Sequence, residues 1–426
     1  MLILLMFVVL VALICINVPI AVALAIAGII GLVGTEGTGS LVTVALDMYD
    51  GSTKFSLIAI PMFVLAGAIM NAAGISRRLI NFVAALIGFV RGGLSMVTIG
   101  VSLFFAEISG SAVADVAAIG SILIPAMKKR GYGAPFAAAV TSSSASLAII
   151  IPPSIPMILY AVSANTSVEQ LFVAGFVPGL LGAAGLMGVA YVFARRYDFP
   201  VEDAFNLAKL KDTFIDALPT FTLPVIILGG IFGGFVTATE AAGLAVLASV
   251  VVGIYYNEVD FRRLKSAMLD GGMQTAVVML LVAASVLMGG FLTRAQLPQQ
   301  MAQEILSFTD NRYVILLILN VFFLVIGFFL HSAAAIILVV PIVVPLIQQV
   351  GIDPVHFGLV VTLNLAIGQQ TPPVASVLIT ACSIARANIW QVSKVNIYFV
   401  AVLLTVLLLC TYVPAVPMFL VEYFYR

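Results

Sequence analysis

Ile151-Pro152-Pro153-Ser154-Ile155-Pro156 interrupts one long apolar run, and 220 residues further on Thr371-Pro372-Pro373 interrupts another. Proline has no backbone N–H, and its ring clashes with the preceding helical turn. Two prolines in succession therefore end one half-helix and start a second. The spacing extends beyond the prolines: Pro125 and Gly131 recur as Pro345 and Gly351, at the same offset of 220. The order of features also repeats, as an apolar hairpin, a basic or polar turn, and a helix broken at Pro-Pro.

Working outward, the regions 94–128 and 312–348 precede the two breaks. Each is apolar with a polar middle, Glu107-Ile108-Ser109-Gly110-Ser111 in the first and His331-Ser332 in the second. Non-helical backbone at membrane depth survives only where it is buried in protein or lines a cavity. Both regions read as re-entrant hairpins whose tips belong to a binding site; the bland alternative is two ordinary crossings with a short loop.

A bilayer is implied because hydrophobic residues make up 62% of the 426 positions and charged residues 9%, against about 25% in soluble domains. Apolar segments of crossing length fall at 2–34, 55–72, 134–165, 168–194, 217–236, 238–257, 272–290, 355–388 and 395–422. The first is interrupted at Asn17 and Pro19 and reads as one tilted helix or two short ones. It has no basic n-region or A-x-A site, so no cleaved signal is expected. The net charge of zero gives no basic face for nucleic acid.

Basic clusters at Arg77/Arg78/Arg91, Lys128–Arg130, Arg195–Lys211, Arg262–Lys265 and Arg386/Lys394 mark cytoplasmic loops. One topology satisfies them all if 94–128 enters from the cytoplasm and 312–348 from the opposite side. Only Lys54, Arg294, Arg312 and Arg426 of the 19 basic residues then lie outside. The stretch 34–54 becomes an external loop, and 77–91 and 294–310 become interfacial arms. The two copies enter from opposite faces, the inverted-repeat plan of secondary transporters, with sites at broken helices near the midplane. The expected fold is an all-α polytopic membrane protein with inverted repeats, two re-entrant hairpins and two broken helices. Its parts are 1–76 (scaffold), 77–165 (first arm, hairpin and broken helix), 166–293 (scaffold), 294–390 (second arm, hairpin and broken helix) and 391–426 (C-terminal helix).

Carbonyls before each break are candidates for a hard cation such as sodium, and the new half-helices offer amino ends to an anion. Near the first break stand Ser142 to Ser146, which read equally as helix-packing residues. Near the second stand Asn364, Gly368 and Thr371, with His331 either a site residue or a hydrogen-bonded core histidine. Asp115 lies one turn beyond Ser111, and a charge at the bilayer centre costs ~2.5–3.5 kcal/mol, so it must meet water or a partner. Arg294, at the external end of a crossing, reads as a carboxylate contact or a headgroup anchor. Cys15, Cys382 and Cys410 lie in apolar runs and form no metal spacing. No nucleotide or hydrolase motif is present.

The combination of Asn17-Val18-Pro19-Ile20, Ile60-Pro61-Met62-Phe63, Ser109-Gly110-Ser111-Ala112-Val113-Ala114-Asp115, Ile151-Pro152-Pro153-Ser154 and Gln370-Thr371-Pro372-Pro373 resembles the large membrane subunit of tripartite ATP-independent periplasmic (TRAP) transporters, the DctM-like family, over essentially the whole chain. The resemblance implies a bacterial inner-membrane permease with an elevator mechanism: hairpins and broken helices form a mobile transport domain on a scaffold. It implies coupling to at least two sodium ions and no other cofactor. Its implied partners are a separate small membrane subunit of about four helices and a periplasmic substrate-binding protein. It places one sodium site on Ser109, Ala148, Ile151 and Pro153, and the second on His331, Ser332, Gly368, Thr371 and Pro373. Substrate contact falls on Ser111, Asp115, Ser154 and Arg294. The overall look is nearest the sialic-acid branch, with a C4-dicarboxylate as runner-up. A passive anion channel and an intramembrane enzyme using Asp115 and His331 are the competing classes.

Overall fold

The computed structural model describes residues 2–16, 18–201 and 204–425. Among these, every regular element is a helix, as a bilayer requires when each backbone group must be satisfied within its own segment. Eight of the described helices are long and apolar enough to cross.

The first apolar run is two helices, Leu2–Cys15 and Ile20–Glu36. Pro19 starts the second, where its missing N–H costs nothing; Asn17 lies outside the described residues. The pair leans on the long helix Phe261–Arg294, with Leu24 and Leu32 buried in one cluster with Leu287 and Phe291. At 34 residues that helix spans about 51 Å, so its ends project beyond a hydrocarbon core of ~30 Å. The stretch 34–54 is not a loop as the sequence suggested. It contains the helix Leu41–Ser52, packed on Phe261–Arg294, and a Cβ at Gly51 would fall 2.5 Å from Val286. Pro414 divides the last segment into Ile389–Tyr412 and Ala415–Tyr425.

Both hairpins form. The first runs in along Gly93–Ser109, turns at Gly110 (φ 59°) and Ser111, and runs out from Ala112 to Lys129 with one widened turn at Val116–Gly120. The second runs in along Arg312–Phe329 and out along Ser332–Gln349. Each then turns at a left-handed glycine, Gly131 (φ 87°) or Gly351 (φ 69°), a backbone that glycine adopts without steric cost. The broken helices are Ala134–Ala145, continued by a tighter turn Ser146–Ile149, then Ile155–Ala164; and Pro354–Gly368, then Ser376–Ala385. Both Pro-Pro bonds are cis.

Packing sorts the helices into two groups. Ile20–Glu36, Leu41–Ser52, Ala59–Ala72, Ala238–Tyr255 and Phe261–Arg294 pack on one another. The hairpins, the broken helices and Ile389–Tyr412 make the other group. The helix Val168–Arg196, placed in the scaffold by the sequence reading, packs on the first hairpin and both broken helices instead. It is the repeat partner of Ile389–Tyr412: each follows its broken helix after a capping residue, Ser167 or Asn388. The arms Ile75–Ile87 and Leu297–Phe308 lie against the hairpins.

Candidate functional site

At the first break, Pro152 and Pro153 cannot donate to the carbonyls four residues earlier, those of Ala148 and Ile149. The Ser154 hydroxyl donates to Ile149 O at 2.8 Å and accepts from Met157 N at 3.4 Å. The Leu147 carbonyl takes the amides of Ile150 (2.9 Å) and Ile151 (2.7 Å). Ala148 is thereby left with a carbonyl that Pro152 cannot serve. At the second break, Gly368 O accepts from Thr371 N (3.0 Å) and Gln369 O from Val377 N (3.2 Å). Each carbonyl has a second lone pair for another partner.

Each break is pinned to its hairpin in the same way. Ile155 N donates to Gly110 O at 3.4 Å, and Val374 N donates to Phe328 O at 3.2 Å. The backbones touch: a Cβ on Gly110 would meet Pro153 O at 2.9 Å, and one on Gly368 would meet Gly327 at 2.6 Å. Higher in each hairpin a polar pair repeats the link. Ser102 donates to Ser144 (2.9 Å), and Asn364, 220 residues after Ser144, donates to Asn320 (2.7 Å). Two buried oxygens near the breaks, Ser142 Oγ and Asn364 Oδ1, have no hydrogen-bond donor among the described residues.

A cavity of about 510 Å³ lies between the hairpin tips and the long helix. Its polar wall is Ser111, Gln274, His331, Ser332 and Gln369; its apolar wall includes Val64, Ile155, Met273 and Val277. The outgoing arms that start at Ala112 and Ser332 and the half-helix that starts at Ile155 all meet it with their amino ends.

Two hairpins and two matched breaks thus meet around one cavity of about 510 Å³. The family model described as tripartite ATP-independent periplasmic transporter, DctM component, matches residues 7–416. The chain belongs to this family. It is a permease of the bacterial inner membrane, not an enzyme. It is 40% identical to the isethionate TRAP transporter permease protein DctMQ of Oleidesulfovibrio alaskensis, over 95% of this chain but 64% of that protein. It is 36% identical to the C4-dicarboxylate TRAP transporter large permease protein DctM of Pseudomonas aeruginosa, over 89% of each chain. It is 35% identical to the sialic acid TRAP transporter large permease protein SiaM of Vibrio cholerae, over 95% of each. In fold it is similar to the YdaH transporter of Alcanivorax borkumensis, with a TM-score of 0.63, 15% identity, and coverage of 89% of this chain and 88% of that one.

The structure of this DctM component redistributes the residues expected at its site. Ser111, His331 and Ser332 line the cavity, and His331 is exposed to it rather than a core histidine. His356 is the buried one, bonded to Cys410 O at 2.8 Å. Ala148, Ile151, Pro153, Gly368, Thr371 and Pro373 sit at the two breaks. Ser109 closes its helix, and its side chain lies outside what is described. Three substrate candidates do not line this cavity. Asp115 is completely buried, because the helical phase gives the cavity to Ala114 and Ala117 instead. Ser154 is spent on its cap. Arg294 is held in an external ion-pair cluster, 3.2 Å from Glu36 and 3.1 Å from Asp47. Glu240, another charge near a crossing, completes a capping box with Thr237.

Sequence reasoning did not anticipate the buried network that joins the two repeats. Ser143 Oγ lies 2.8 Å from Gln370 Oε1 and 2.7 Å from Asn396 Oδ1, within donating distance of either. Gln370 Nε2 donates to Ser146 Oγ, and Asn396 Nδ2 to Gln370 O at 3.2 Å. Asn320 extends the other link to Thr411 at 3.1 Å. Asn396 and Asn320 each carry an amide in the middle of an apolar helix, which is the signal that could have found them.

Proposed function

We propose that this DctM component takes up a small organic acid anion across the inner membrane, coupled to at least two sodium ions. The observation that carries the reading is the matched pair of breaks flanking one cavity, each pinned to a hairpin tip, with buried oxygens left without donors at Ser142 and Asn364. Buried polar atoms without partners call for an explanation, and sodium, a hard cation, takes oxygen ligands. Ala148, Ile151 and Pro153 at the first break, and Gly368, Thr371 and Pro373 at the second, supply carbonyls on the cation side. The amino ends at Ala112, Ile155 and Ser332 face the cavity, where partial positive charge suits an anion.

Among the described residues the cavity wall carries no ammonium or guanidinium group. Such a wall suits a single negative charge better than two, which favours sialate over a C4-dicarboxylate; isethionate, the substrate named for one relative, is also a monoanion. A volume of about 510 Å³ falls within the range of small-molecule sites, ~300–1,000 Å³. Two sodium ions with one monoanion move one net positive charge inward, worth ~2.3 kcal/mol per 100 mV. The two packing groups give an elevator its parts, with hairpins, broken helices and the helix following each break moving against the rest. A periplasmic binding protein delivers substrate, and a small membrane subunit of about four helices completes the assembly. The family's tripartite description and the greater length of the DctMQ relative support those partners.

The test is uptake of labelled sialate, isethionate and succinate by liposomes holding the chain, its small subunit and its binding protein, with and without a sodium gradient. Accumulation that needs both sodium and the binding protein is expected. Flux that ignores sodium would overturn the coupling and put the passive channel first.

A further inference from the structure

A second cavity, of about 480 Å³, shares Ala114, Ala117 and Gln274 with the central one and opens past Asn71, Ser76 and Arg77. This face carries Arg77, Arg78 and the neighbouring basic loops, which mark it as cytoplasmic. The cavity on the opposite side, walled by Lys54, Val162 and Thr293, shares no wall residue with the central one. The open route from the central cavity therefore runs toward Arg77.

Adjacent arginines here have different fates. Arg78 is consumed by the protein: it lies 3.7 Å over the Tyr256 ring and 3.5 Å from both Asp216 and Glu258. Arg77 is exposed, lines the second cavity and forms no ion pair among the described residues. It is the one guanidinium or ammonium among the described residues lining either connected cavity, and no carboxylate lines them. Asn71 and Gln274 add amides. The Ser76 hydroxyl donates to Asn71 Oδ1 at 3.0 Å, so the Asn71 amide nitrogen is the group left to offer.

We propose that Arg77, with Asn71 and Gln274, forms an exit subsite that receives the carboxylate of the transported anion as it leaves for the cytoplasm. The proposal rests on the transport reading above. Inside the central cavity the anion meets neutral donors and helix ends; at the mouth it meets a full positive charge that is still hydrated. A charged cleft raises the local concentration of its counter-ion, and an exposed contact holds it weakly enough to release it.

The experiment is anion exchange in right-side-out liposomes holding the tripartite assembly, with the lumen as cytoplasm. Half-saturating concentrations of sialate and of succinate are measured on each side for wild type, Arg77→Gln and Arg77→Lys. Arg77→Gln should raise the lumenal value about threefold to fivefold at low salt and less at high salt, while the external value holds. Arg77→Lys should stay within about twofold of wild type, since it keeps the charge. No change, or an equal change on both sides, overturns the subsite. An effect seen only in liposomes containing anionic lipid also overturns it, and makes Arg77 a headgroup anchor. If wild type transports neither anion with sodium, the transport reading has failed separately. The subsite is then read from calorimetric titration of the purified chain with the same anions: binding weakened in Arg77→Gln supports it, and equal binding overturns it.

Discussion

Around Pro152-Pro153 every residue from Ile149 to Ser154 is buried; around Pro372-Pro373, Pro373 and Val374 are exposed. The two breaks descend from one pattern, yet only the first is sealed. The seal is the helix Val168–Arg196, which approaches so closely that a Cβ on Gly175 would fall 2.2 Å from Ile150 O, and one on Gly179 would meet Ile151 at 2.4 Å. Counted 220 residues on, those positions are Val395 and Phe399, which do not allow such an approach. The second repeat uses its equivalent helix differently, sending Asn396 across to Gln370 and Ser143. One repeat is closed by packing without side chains, and the other is tied to it by hydrogen bonds. The consequence is a pair of breaks with unequal exposure, joined by a buried polar knot.

The largest effect is expected at the seal. Gly175→Val should strain the structure by about 1–3 kcal/mol and abolish sodium-driven uptake, whereas Val395→Ala, its counterpart, should keep most of it; uptake by both variants with thermal unfolding alongside decides this. Retained uptake in Gly175→Val would remove the packing account of the first break. Next comes the knot: Asn396→Leu strands Gln370 O and should cost about 1–3 kcal/mol. Its sodium activation should flatten from sigmoidal toward hyperbolic if the knot couples the two ion sites, and an unchanged curve would leave it merely structural. Smaller again, Ser154→Ala removes a cap and the donor to Ile149 O, worth about 1 kcal/mol. It should raise the sodium concentration for half-maximal uptake, while Val374→Ala, the residue at the same repeat position, should not. Arg294→Ala should have the smallest effect. Its carboxylate partners are partly exposed, so a loss of at most ~1 kcal/mol and uptake within about twofold are expected; a collapse in substrate affinity would restore it as a substrate contact.

The hairpins and breaks were legible because proline and glycine act through the backbone, and their spacing survives where side chains have diverged. Pro152-Pro153 and Pro372-Pro373 located the two helix breaks. The membrane class followed from composition. What the sequence concealed was helical phase and side-chain commitment. The resemblance put substrate contact on Asp115, Ser154 and Arg294, and a string does not show that the first is buried, the second caps a helix and the third is paired. The place of Val168–Arg196 was hidden too, since an apolar helix does not declare which neighbour it packs on; Gly175 and Gly179 were the clue. Asn396, an amide in an otherwise largely apolar helix, was readable but was passed over.

The central claim, that the two breaks are two sodium sites serving one anion, is tested most directly by the sodium stoichiometry. Liposomes holding the tripartite assembly are poised at known sodium and substrate gradients, and the membrane potential at which net flux of a monoanion stops is measured. Flux that reverses where two or more sodium ions accompany each anion, and shifts when the potential is changed, is the predicted result. Flux insensitive to the potential, as one sodium ion per monoanion requires, or flux that responds with the opposite sign, as an anion moving without sodium requires, would contradict the account.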